Sequence, residues 1–82
     1  MPLEVDTEHP HVVLRGGVPM VRGSSVTVHR LWFWHASGVA VAMLVRRYPT
    51  LSWAKVLDAL SYAHGHKDDM RKELAKGLWN AP

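Results

Sequence analysis

Six basic side chains stand in a stretch of sequence that contains no carboxylate. Between His9 and Leu57 the chain carries Arg15, Arg22, Arg30, Arg46, Arg47 and Lys55, and neither Asp nor Glu. Guanidinium and ammonium groups gathered this way suit one chemistry, the holding of phosphates or carboxylates through charge-assisted hydrogen bonds. On duplex DNA such contacts position a protein without reading the sequence. Base reading needs Arg, Lys, Asn or Gln at the groove-facing start of a helix. The chain has no Gln, and its Asn is Asn80, close to the end. The helix best placed to enter a groove offers Ser52, Ala54, Lys55 and Asp58, and Asp58 would repel phosphate. The residues expected to meet nucleic acid are therefore Arg15, Arg22, Arg30, Arg46, Arg47, Lys55 and Ser52, chiefly on the backbone. The competing reading is a solvated basic face on a helical scaffold that never touches DNA.

Other chemistries find less support. His9-Pro10-His11 and His64-Gly65-His66 are two His-x-His pairs, but no Asp, Glu or Cys lies at a convincing metal-ligand spacing. The histidines read as surface residues beside loops, and His35, on an apolar helical face, as a hydrogen-bonded core residue. Neither metal nor cofactor is expected. A hydrolase would need a nucleophile with a base, or paired carboxylates in a pocket. The serines stand in turn and cap positions and the carboxylates at the two ends, so no enzymatic activity is expected.

The apolar side chains raise a different possibility. Trp32, Phe33 and Trp34 are consecutive, so on a helix they point in different directions and cannot all enter one small core. Trp32 or Trp34 is expected at the interface of a homodimer, with partial cover by the chain's own β element as the alternative. At 82 residues, with no Cys and a net charge of +3, the chain is one domain with a marginal core. The first eight residues are acidic rather than basic, so no secretory signal is read. The most apolar window, residues 31–45, is too short to span a bilayer. No membrane contact and a cytoplasmic location are expected.

The elements that must position these residues follow from spacing. Residues 1–11 read as an acidic tail. Residues 12–28 read as a short β element turned by Gly16-Gly17 and by Gly23, with Pro19 confined to an edge or turn. The arginines of the two Arg-Gly pairs would stand at its corners, facing water or a partner. A first helix over 28–37, with Leu31, Trp34 and His35 on one face, ends at Gly38 and has Thr27 as a candidate cap. Residues 39–48 suit helix or strand. Helix is favoured, with Val41, Leu44, Val45 and Tyr48 on one face and Pro49 as its stop. Thr50 and Ser52 are candidate caps of a third helix whose buried stripe would be Trp53, Val56, Leu57, Leu60 and Ala63. A last amphipathic segment, 66–82, would turn Met70, Leu74 and Leu78 one way. It is expected to pack at home, with Leu78 and Trp79 also candidates for a partner interface. The fold class is mainly α: a three- to four-helix, helix-turn-helix-like domain with residues 29–64 at its centre.

"GGVPMVRGSSVTV" followed by "SGVAVAMLVRRYPTLSWAKVLDALSYA" resembles the bacterial family of unknown function numbered 433. Gly16, Gly17, Pro19, Arg22, Gly23, Thr27, Val28, Gly38, Tyr48, Pro49 and Leu51 match its pattern, over about residues 9–64. Val18 replaces the usual lysine and Ser25 the second arginine of Arg-Gly-Thr-Arg. Ala42, Met43, Arg46 and Arg47 occupy positions that are commonly acidic there, so the charge of this helix is inverted. The resemblance implies a helix-turn-helix-like fold and an antitoxin-like role. Such a protein would bind a cognate toxin, often a PIN-like ribonuclease, and would repress its own promoter. The alternative is a protein-interaction module without DNA binding.

Overall fold

A two-glycine turn sets the geometry of the N-terminal third. The computed structural model describes residues 3–76, and in it Gly16 and Gly17 have φ of 60° and 81°. Two successive positive φ values are what a two-residue hairpin loop of the favoured twist demands, and only glycine adopts them freely. The loop joins β2 (Val12–Arg15) to β3 (Val18–Val21), with Arg15 opposite Val18 and Val12 opposite Val21. Pro19, which has no N–H to donate, sits in β3 at the sheet edge, as its chemistry requires. The other edge is β1 (Glu4–Asp6), antiparallel to β2 with Glu4 opposite Arg15. The expected acidic tail is therefore in part a strand. Its residues are all exposed, so no buried side chain betrays it in the sequence.

Four helices follow. α1 (Val28–Ala36) starts after an extended Thr27, whose hydroxyl makes no capping bond. Its end is closed by Gly38, at φ 103°, with Gly38 N–H donating to the His35 carbonyl and Val39 N–H to that of Trp34. The ambiguous segment is helix: α2 (Val41–Arg47) stops at Tyr48 and Pro49. α3 (Trp53–Gly65) begins at Ser52, whose Oγ accepts the Lys55 N–H at 3.2 Å. α4 (Lys67–Ala75) carries Asp68 and Asp69 in its first turn, where the helix dipole favours negative charge. Leu78 and Trp79 lie outside the described residues.

One core joins these pieces. Val12 and Val21 from the sheet meet Val28 and Leu31 of α1, Leu44 of α2, Val56, Ala59, Leu60 and Ala63 of α3, and Met70 of α4. Val41, Val45 and Tyr48 pack partly buried against it, so the apolar face assigned to α2 is the inner one. Met70 is fully buried, and α4 packs on α1 and α3. The last described helix thus packs at home. Among the described residues no helix is long and apolar enough to cross a membrane. Among the described residues the architecture is mainly α, four helices with a short three-stranded sheet at the N-terminus.

Candidate functional site

The two arginines of the Arg-Gly pairs lie along the surface of the sheet and are engaged by the chain's own groups. Arg15 donates from Nε to Glu4 Oε2 at 3.0 Å and from Nη1 to the Ser24 carbonyl at 2.9 Å. Arg22 donates to the Pro10 carbonyl at 2.9 Å and to Asp6 at 2.8 Å. Each guanidinium ties a turn to the exposed strand β1, beside the antiparallel backbone pairing of β1 with β2. Of the residues expected to meet phosphate, these two are paired with carboxylates of the chain itself. Ser52 has its hydroxyl in the α3 cap. Arg46 and Arg47 close the last turn of α2 and are exposed, and Lys55 is half-buried on the first turn of α3. These three side chains make no ion pair among the described residues. Arg30, on α1, is half-buried and engaged within the fold.

The stripe expected on α3 is displaced by about one residue's rotation. Val56, Ala59, Leu60, Tyr62 and Ala63 form its buried face, while Trp53 and Leu57 are 52% and 50% exposed. Trp53 and Leu57 stand one turn apart, and Ala54, Ser61 and His64 share their outward side. No Lys, Arg, Asp or Glu interrupts that face. Ala59 sits at the centre of the buried arc because a small side chain lets α3 approach its neighbours closely.

The aromatic triplet of α1 is divided among neighbours. Trp32 packs edge-on against His64 at 5.3 Å, and Phe33 edge-on against Trp34 at 5.3 Å. Trp32 and Trp34 both lie partly buried against the core, so the chain's own fold covers part of the surface assigned to a partner. The remainder of Trp34 helps line an open groove of about 560 Å³ with Val39, Met43, Leu44, Arg46 and Arg47. His35 is half-buried, with Nδ1 3.3 Å from the Val39 carbonyl. The fully buried histidine is instead its neighbour on α1, His29.

A polar clamp that the sequence does not announce joins the β1–β2 connection to α3. Asp58 Oδ1 lies 2.8 Å from His9 Nδ1, and Oδ2 accepts the His11 N–H at 2.8 Å and faces His11 Nδ1 at 3.2 Å. An ionised carboxylate only accepts, so both imidazoles carry their proton on Nδ1 here. Burial pushes the Asp58 carboxyl up, but the His11 N–H and the two imidazoles outweigh it and hold it below the ordinary Asp value. His9 also meets the edge of Tyr62, against which His66 stacks at 4.0 Å. Burial, assisted by the charge of Asp69, pushes the Tyr62 phenol up. These histidines, expected as loop-side surface residues, are structural ties. Among the described residues no three His, Cys, Asp or Glu side chains are grouped to hold a metal.

The hairpin loop and the helices α1, α2 and most of α3 fall within one family match. The family described as protein of unknown function, DUF433, matches residues 13–63, more than half of the chain. The chain belongs to that family. The DUF433 match runs from within β2 into α3 and holds the hairpin loop, α1, α2 and the uncharged face of α3 except His64. It leaves β1, His9, His11 and α4 outside, so Asp58 is a DUF433 position whose clamp partners lie beyond the match. No curated protein and no solved structure matches the chain.

Proposed function

We propose that this chain is an antitoxin-like binding protein of the cytoplasm that neutralises a cognate toxin by docking the outward face of α3. By analogy with its family the toxin is a PIN-like ribonuclease. The observation that carries this reading is the uncharged face itself. A helix that reads a DNA groove presents donors and acceptors to base edges. This one presents the half-exposed Trp53 and Leu57 with Ala54, Ser61 and His64. Indole groups at the centre of an interface contribute a large share of binding energy, because they bury a wide apolar surface at low entropic cost. The opposite side of the helix is packed into the core, and Asp58, at the flank, is engaged by His9 and His11.

The test is co-expression of the tagged chain with the untagged product of the neighbouring gene. The wild type is expected to capture that protein and suppress its ribonuclease activity, and the Trp53→Ala/Leu57→Ala variant to do neither while remaining folded. A variant that captures and suppresses as well as wild type rejects the proposed face.

A second reading, contact with promoter DNA, is favoured by Arg46, Arg47 and Lys55. All three lie on α2 and α3 and form no ion pair among the described residues. They would hold phosphates and add orientation rather than sequence choice.

A further inference from the structure

We propose that the groove where the C-terminal end of α1 meets α2 is a second binding surface, which takes a short acidic, amphipathic segment of a partner protein. The inference does not depend on the outward face of α3, whose exposed residues Trp53 and Leu57 do not line the groove. Its chemistry is two-sided. Trp34, Val39, Met43 and Leu44 supply an apolar floor, and Arg46 and Arg47 supply the charge. Met43 is 54% exposed, and its flexible thioether side chain adapts to apolar groups of varied shape. A volume of about 560 Å³ falls within the range of established ligand sites.

Charge complementarity selects the occupant. No carboxylate lines the groove. On the helices packed against α1 and α2, Asp58 is engaged with His9 and His11, Asp68 with Arg71 and Glu73 with Lys76, while Asp69 stands at the first turn of α4 near Tyr62. Arg46 and Arg47 are left to carboxylates from outside. A nucleic-acid backbone would satisfy the arginines but offers nothing to cover the indole, the thioether and the valine. A segment with Leu-type side chains on one side and Glu or Asp on the other satisfies both, as an amphipathic helix in a groove does.

The probe is a fluorescein-labelled two-heptad peptide with Leu on one helical face and Glu on the other. Its controls are the same peptide with Lys for Glu, the same with Ser for Leu, and a short duplex DNA. The Leu/Glu peptide is expected to bind the full chain, to move the Trp34 indole and Met43 methyl resonances, and to weaken as salt rises. The two control peptides should bind at least about tenfold more weakly, as should Arg46→Ala/Arg47→Ala or Met43→Ser with the Leu/Glu peptide. These side chains are exposed, so the variants should melt like wild type. Trp53→Ala/Leu57→Ala should bind the peptide unchanged, which separates this surface from the α3 face. Four results overturn the proposal. The Leu/Glu peptide fails to bind at millimolar concentration, or the Lys peptide binds equally well. Duplex DNA is preferred in an Arg46- and Arg47-dependent manner, or Arg46→Ala/Arg47→Ala dissociates a dimer of the chain, which would make a second copy the occupant.

Discussion

Replacing Asp58 should loosen the joint between the sheet and α3. The carboxylate accepts from the His11 N–H and from His9 Nδ1, both at 2.8 Å, and from His11 Nδ1 at 3.2 Å. A hydrogen bond to a charged group contributes about 1.5–3 kcal/mol. The three do not simply add, since the third is long and the His11 side chain is 36% exposed. With the acceptor itself only 18% exposed, Asp58→Ala is expected to lose about 2–4 kcal/mol. In a domain of this size each kcal/mol moves Tm by roughly 4–8 °C, so the melt should fall by roughly 10–25 °C at neutral pH. Asp58→Asn, which keeps an acceptor but turns an amide NH₂ toward one imidazole, should cost about half as much.

The pH dependence follows from the depressed carboxyl. A group that ionises more easily when folded stabilises the fold above its unfolded value, about 3.9 for Asp. That stability is lost as pH falls through the lower, folded value. The gap between wild type and Asp58→Ala should therefore be full at pH 7 and shrink below about pH 4. Thermal melts by circular dichroism across pH, with amide exchange at His11, provide the assay. A variant that melts within about 2 °C of wild type at pH 7, or a gap undiminished at acid pH, refutes the argument.

Two further outcomes follow from the packing and the charges. Met70→Ala should cost about 2–5 kcal/mol because Met70 is fully buried, and deleting residues 67–82 should lower Tm further; a truncated chain as stable as wild type contradicts the packing of α4 on the core. If duplex DNA binds, log affinity should fall with log salt by about 0.9 per phosphate, and Arg46→Ala/Arg47→Ala should flatten that slope by up to about two units per protomer. Arg15→Ala and Arg22→Ala should leave it unchanged, because those side chains are held by Glu4 and Asp6; equal flattening by either pair would contradict the division.

What local spacing governs was legible in the sequence. Gly16-Gly17, Gly38, Pro49 and Ser52 mark turns and caps through backbone chemistry that acts within a few residues. The face of α2 that packs inward could be read from helical periodicity alone. β1 could not, since its side chains are all exposed and form no apolar pattern, and its partners lie in β2 and at Arg15 and Arg22, eleven and sixteen residues away. The Asp58 clamp joins residues 47 and 49 apart in sequence, beyond the reach of any local rule. Trp53 and Leu57 were assigned to the core because large apolar side chains at helical spacing usually face inward. The packing chose the neighbouring arc, where Ala59 permits close approach, and left a tryptophan outside. That displacement carries the functional reading, and no count of hydrophobic positions would have revealed it.

The central claim is that a protein partner docks on the uncharged face of α3. The most direct test is the affinity of the purified neighbouring gene product for the wild-type chain and for Trp53→Ala, measured by titration calorimetry. Because Trp53 is half-exposed, the substitution should leave the melt nearly unchanged. The account expects a loss of about 2 kcal/mol or more, roughly thirtyfold in Kd, the scale of a tryptophan at the centre of an interface. An affinity for Trp53→Ala within about twofold of wild type would contradict it.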